Sequence, residues 1–197
     1  SVVVGGPGMS AGRSMVSGCR WPGVLLGVLL CAWADGTVVA QQVSHPTLGY
    51  SFTVPPGFVE APEILATNPK FTHAFRKPLP GDPLGVLLII ERLGGRIGGG
   101  RLKQSDLPPG LNATVQVMKW QGVDIDVVEF TETSAVGPYF NINAQIPLKR
   151  EAIQVKIAAQ GTQSPEVRST LSFLLASLKG ETNLIPGAIP GFASSPL

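Results

Sequence analysis

Residues 149–180, KREAIQVKIAAQGTQSPEVRSTLSFLLASLKG, carry the most regular pattern of the chain. Ile153, Val155, Ile157 and Ala159 alternate with Gln154, Lys156 and Ala158, the period of a strand with one buried face. Gly161 and Gln163 break that run. Ser164 then stands where an N-cap belongs, Pro165 suits the first helical position, and Glu166 lies where the helix dipole favours an anion. Val167, Leu171, Leu174 and Leu178 recur at spacings of four, three and four, an apolar stripe that Phe173 and Leu175 widen. Lys179 and Gly180 read as the close of the helix. This strand and helix anchor the fold and hold no evident chemistry.

The preceding stretches add strands and little else. In residues 48–58 Phe52 and Val54 share a face before Pro55-Pro56-Gly57 stops the strand. Residues 62–66 make one helical turn, and residues 70–77 a second strand ended by LPGDP turn chemistry. Residues 85–92, GVLLIIER, predict a central strand buried on both faces. Residues 94–100, GGRIGGG, lack the glycine spacings of a phosphate cradle and read as a flexible connection. Residues 101–107 predict a short helix stopped by Pro108-Pro109-Gly110. Residues 114–120 and 123–132 predict a hairpin about Gln121-Gly122, with Trp120 capping the core edge. In its second arm Ile125 and Val127 alternate with Asp124 and Asp126, and Val128 and Phe130 then shift the pattern, as a bulge or two-sided burial would. In residues 139–147 Phe140, Ile142, Ala144 and Ile146 point inward and Asn141, Asn143 and Gln145 outward. The expected fold class is α+β: a mainly antiparallel sheet with a C-terminal amphipathic helix packed on it.

The first forty residues have a different character. Arg13 and Arg20 precede residues 21–34, WPGVLLGVLLCAWA, a basic flank and an apolar stretch of signal-peptide length, short for a bilayer span. A cleaved export signal is the preferred reading, ahead of an uncleaved anchor and a buried helix. Cleavage is expected after Ala34 or Ala40, with Ala40 slightly favoured. The chain does not begin with Met, and Met9 or Met15 is expected to be the true start. Both cysteines, Cys19 and Cys31, lie in this segment, and neither stands where a lipoprotein signal needs it. The mature chain then has no disulfide, thiolate nucleophile or sulfur ligand. The expected organisation is a signal segment (1–40), one domain (41–180) and a Pro-rich flexible tail (181–197).

Composition narrows the classes further. Of 197 residues, 44% are hydrophobic and 14% charged, against about 25% charged in a typical globular domain. The net charge of +2 comes without a basic run, which argues against nucleic-acid binding.

Candidate chemistry is sparse. The only histidines are His45 and His73, and no G-x-S-x-G accompanies them, so a Ser-His-Asp arrangement has little to build on. Asp124 and Asp126 project from one strand face roughly 7 Å apart, where oxygens could take a hard cation. A solvated face is the simpler reading. Glu129 falls on the opposite face unless a bulge re-aims it, and Glu132 is nearby in sequence. Asn112-Ala113-Thr114 is a glycosylation sequon, relevant only in a eukaryotic secretory pathway. Lys149, Arg150, Lys156, Arg168 and Lys179 would make a mildly basic patch beside the last helix, with a solvated surface as the default.

Three stretches carry a family resemblance. The sequence Tyr50-Ser51-Phe52-Thr53-Val54-Pro55-Pro56-Gly57-Phe58 resembles the opening strand of PsbP/Mog1/DcrB-like domains. The hairpin at Lys119-Trp120 is similar to their central meander, and residues 152–178, ending in Leu175-Ala176-Ser177-Leu178, to their final strand and helix. The resemblance implies an α/β/α sandwich, in a family of photosystem accessory, nuclear-transport and bacterial envelope proteins that is mostly non-catalytic. It brings no catalytic motif. The first helical layer is thin here, with only residues 62–66 and 101–107 to supply it. The expectation is thus an exported, non-catalytic binding or envelope accessory domain. It has a protein partner, no cofactor and no nucleic acid, and it meets a membrane only if residues 21–34 are retained. The alternatives are a membrane-tethered domain, or a hydrolase using scattered carboxylates and His73. The hydrolase requires His73 and an acid to meet within hydrogen-bond reach in a cleft.

Overall fold

The computed structural model describes residues 40–97, 101–135 and 137–184. The chain divides into two compact units, Ser1–Thr37 and Val38–Leu197, and the described residues all belong to the second. The expected export segment, its cleavage after Ala34 and most of the expected tail lie outside the described residues, of which Ala40 is the first. Along the chain the elements are β1 (Gln42–His45), β2 (Tyr50–Thr53), β3 (Val59–Glu60), α1 (Pro62–Leu65), β4 (Phe71–Leu79), β5 (Asp82–Arg92), β6 (Ala113–Trp120), β7 (Val123–Ser134), β8 (Gly137–Ile146), β9 (Ile153–Gln160), α2 (Ser164–Ser177) and β10 (Lys179–Gly180). Short 3-10 turns occur at Gln104–Asp106 and Gly161–Gln163.

One sheet runs β3-β4-β5-β9-β8-β7-β6, and a smaller one runs β1-β2-β10; every pairing is antiparallel. This is the α+β arrangement expected from the pattern. On the inner face of the large sheet, Val86, Leu88 and Ile90 line up with Ile153, Val155 and Ile157 and then with Phe140, Ile142, Ala144 and Ile146, all buried. The helix α2 lies on that face. Val167, Leu171 and Leu174, with Leu178 just beyond, are buried as the stripe predicts, and Leu175 and Thr170 join them. Phe173 does not widen the stripe; it is 39% exposed.

The outer face is less covered. Leu87 and Ile89 are half-buried rather than buried, so β5 is central but not closed on both sides as expected. Among the described residues only small pieces stand there: α1 beside Arg76 through Glu63 (3.5 Å), and residues 101–106 over β7. The expected helix over 101–107 shrinks to the single 3-10 turn. Val128 and Phe130 sit half-buried on this outer face without any bulge, because the β6–β7 register is unbroken from Trp120↔Val123 to Ala113↔Phe130. The hairpin turn is as expected, with φ of 48° at Gln121 and 80° at Gly122, the mirror-image turn that follows strand twist.

Both ends of α2 differ from expectation. Ser164 is already helical, preceded by the 3-10 turn, and Gln163 occupies the cap position without a side-chain bond. At the far end Leu178 is extended, and Lys179–Gly180 becomes β10, paired with Ser51 and Tyr50, instead of closing the helix. The reason is close packing. A Cβ at position 180 would stand 2.5 Å from Leu148 Cδ2 and 3.3 Å from the Gly49 carbonyl oxygen, so glycine lets the strand pass.

Candidate functional site

The two sheets meet where β2 crosses β4, and the polar groups there form a closed chain. In β4 the register jumps from Phe71↔Glu91 to His73↔Ile90, which leaves Thr72 as the extra residue of a β-bulge. Strict alternation would send Thr72 and His73 to opposite faces. The bulge lets both reach Tyr50, whose hydroxyl lies 2.7 Å from Thr72 Oγ1 and 2.8 Å from His73 Nδ1. Thr72 donates its own proton to the Ile90 carbonyl at 3.1 Å. Every proton is then satisfied in one sense: His73 Nδ1–H donates to Tyr50, Tyr50 to Thr72, and Thr72 to the backbone.

Burial raises the Tyr50 hydroxyl well above the usual tyrosine range, against the smaller opposing effect of its Thr72 bond. Burial also pushes His73 down to about 4, helped by His45. The His73 ring packs among Tyr50, Phe52 and Phe75, with centroids 5.6–6.3 Å apart. No carboxylate is hydrogen-bonded to it among the described residues. The histidine–acid pair that the hydrolase reading required is not what the structure assembles, because the bulge turns His73 toward a hydroxyl instead.

The carboxylates are engaged elsewhere. Asp124 and Asp126 share the outer face, as expected, and residue 101 comes over them. Arg101 Nη2 lies 3.0 Å from Asp126 Oδ1 and Nη1 lies 3.6 Å from Asp124 Oδ2, while the Leu102 N–H donates to Asp126 Oδ2 at 2.9 Å. Lys119 donates to Asp124 and holds its carboxyl below the usual range. A cation would have to displace both bases, and the described residues contain no group of three metal-ligating side chains. Glu129 is on the opposite face, 8% exposed, and accepts both prongs of Arg168 at 3.1 and 2.8 Å. Arg168 also covers the Phe140 ring at 4.8 Å. Glu132 is exposed.

The basic patch does not form. Lys156 pairs with Glu91 on the outer face (2.5 Å), Arg168 with Glu129 on the inner side, and Lys149 with Glu181 (3.3 Å). Arg150 donates instead to the carbonyls of Pro46 and Thr47. The depressions are open. One of about 430 Å³ is lined by Thr131, Pro138, Gln160, Gly161 and Thr162, with no titratable side chain.

The feature that pattern-reading missed is an edge. β6 ends the large sheet, and the Gln104 side chain imitates a neighbouring strand there: its Nε2 donates to the Ala113 carbonyl (2.6 Å) and its Oε1 accepts from the Val115 N–H (3.3 Å). Those groups therefore point away from β7, and by the two-residue alternation so do the N–H groups of Val117 and Lys119. Gln104 stops short of them. Val117 is 51% exposed. The only sequence signal was the position of the hairpin, which does not say which arm ends the sheet.

No protein-family model matches the chain, and no curated protein matches it. Among solved structures it is similar to a protein of Bacteroides thetaiotaomicron, at 12% identity and a TM-score of 0.52, over 73% of this chain and 49% of that one. The chain thus spans about half the length of that protein, and the likeness is one of fold. It is also similar to cyanobacterial PsbP (CyanoP) from Synechocystis, at 13% identity and a TM-score of 0.47, over 77% of this chain and 98% of that one. A third is LpqN, described as involved in cell envelope biogenesis of Mycobacterium tuberculosis, at 10% identity and a TM-score of 0.45, over 73% of this chain and 86% of that one. PsbP, which the motifs at residues 50–58 and 152–178 resemble, is thus among the structures similar to this chain.

Replacing Tyr50 by Phe removes the acceptor of the His73 proton and the donor to Thr72, leaving the histidine N–H unpaired at a half-buried site. Urea unfolding of Y50F is expected to show a loss of about 1–3 kcal/mol. Unchanged stability would mean that the polar chain does not tie the two sheets together.

Proposed function

We propose that this chain is an exported, non-catalytic binding domain of the cell envelope that takes an extended segment of a partner protein along β6. The observation that carries this reading is the edge of β6 at Val117 and Lys119, which no described strand pairs and which begins where the Gln104 side chain ends. Strand addition draws affinity from main-chain hydrogen bonds and specificity from alternate side chains. That Asp124, Asp126 and Glu129 are engaged by Arg101, Lys119 and Arg168, and His73 by Tyr50, supports binding over catalysis. Export rests on residues 21–34 and their basic flank. No described helix is long and apolar enough to cross a membrane.

Two measurements test the two halves of this reading. Intact mass of the protein from the soluble envelope fraction of its native host is expected to place the first residue near Gln41. A membrane-bound species that retains residues 21–34 would contradict cleaved export and favour a tethered domain.

For binding, Val117→Pro removes one outward N–H and no bond to β7, so the ladder within the sheet stays intact. Cross-linking followed by capture is expected to recover a partner with the wild type, and V117P to lose it while keeping its unfolding midpoint. Equal recovery with V117P would show that β6 is not the binding edge.

A further inference from the structure

The junction between the sheets holds more titratable chemistry than structural support needs. His45 ends β1 in the small sheet, and His73 lies in β4 of the large one; their rings meet edge to face with centroids 6.0 Å apart. Tyr50 lies against both, stacked on His45 at 5.5 Å and hydrogen-bonded to His73. We propose that this junction is an acid-sensitive latch built on His73: at neutral pH its ring is uncharged and the β1–β2 hairpin is closed on the large sheet, and on acidification a charge appears among the aromatic rings that join the two sheets and the hairpin is released.

The His73 ring is arranged so that a second proton does structural work. His45 Nδ1 accepts from the Leu48 N–H at 3.3 Å, a bond that closes the turn after β1 and holds the ring against Tyr50 and His73. His73 donates through Nδ1, so its second proton goes to Nε2. The Tyr50 bond survives, but a charge now sits among Phe52, Phe75 and Tyr50 and faces His45.

No carboxylate is hydrogen-bonded to His73 among the described residues, and around His45 the charges are mixed, with Lys179 and Glu181 lining the same depression. From β1 the facing titratable group is His45, from β2 it is Tyr50, and from β5 the paired residue is the apolar Ile90. Glu151 bears on His45 and is already bound by Arg92 and the Gly94 N–H. Arg150, which donates to the carbonyls of Pro46 and Thr47, adds positive charge to the same turn.

The direction follows from the proton balance. The closed junction holds the His73 proton less well than the open one, since the ring is pushed down to about 4 from an ordinary 6.5. Closure is fully favoured above pH 6.5, weakens as the pH falls toward 4, and levels off below that. Release would expose Phe52, the hairpin's own buried residue, and free β10 and the Ser177 contact to Thr53.

Hydrogen exchange of the full chain, corrected for intrinsic rates, tests the latch. From pH 7 to pH 5 the amides of residues 42–53 are expected to lose about tenfold in protection, a value discounted because the His73 ring is only half-buried. Those of β8 and β9 should change far less. H73N keeps a donor for Tyr50 and H45N keeps an acceptor for Leu48, and each should flatten the pH dependence at residues 42–53. Should H73N not fold, H45N decides alone. No loss in the wild type, an equal loss across the whole chain, or an undiminished loss in the folded variants would each overturn the proposal.

Discussion

An amphipathic helix with one apolar stripe has one stable place, and the rest of this domain follows from where that place is. Val167, Leu171, Leu174 and Leu178 need an apolar surface, and the inward residues of β8 and β9, with β2 beside them, supply it. Truncating a buried leucine in such a core costs about 2–5 kcal/mol, so the helix and the sheet face specify each other. Trp120 closes one border. Its ring is 1% exposed, and its indole N–H donates to the Leu178 carbonyl at 2.9 Å, satisfying a group that the helix end leaves without an intrahelical partner.

The small sheet depends on that closure. Because Leu178 is held by Trp120, the chain leaves the helix extended, and Lys179–Gly180 falls beside β2. Gln121, in the hairpin turn next to Trp120, donates to the Gly180 carbonyl at 2.8 Å and fixes the same segment. β2 is thereby paired on both sides, and Tyr50 is carried to the bulge at Thr72, where the two histidines meet. The polar junction is thus downstream of the apolar core. A proton at the junction acts on the hairpin without acting first on the helix.

How much of this could be read beforehand depended on the range of the interactions. The β9–α2 unit, the hairpin at Gln121-Gly122 and the inward alternation of β8 were legible because their signals lie within a dozen residues of each other. β10 was not, since Lys179 and Gly180 are strand only by virtue of Ser51 and Tyr50, and in isolation a glycine after an apolar stripe reads as a helix end. Nor was the bulge: nothing in the string THA distinguishes a regular strand from one with an extra residue. The two aspartates were legible as a pair on one face, but Arg101, which holds them, lies more than twenty residues away in sequence and comes from a glycine-rich connection. The free edge of β6 is a property of the strand order, which no single stretch encodes.

The most direct test of this account is the exchange rate of the Trp120 indole N–H, assigned by its disappearance in W120F. If the helix, the sheet face and β10 are closed through this one bond, the proton exchanges only with global unfolding, and its protection matches that of the most protected amides of β8 and β9. Exchange at the rate of a solvent-exposed indole would show that the helix end is not anchored there, and the dependence of the small sheet on the core would fall with it.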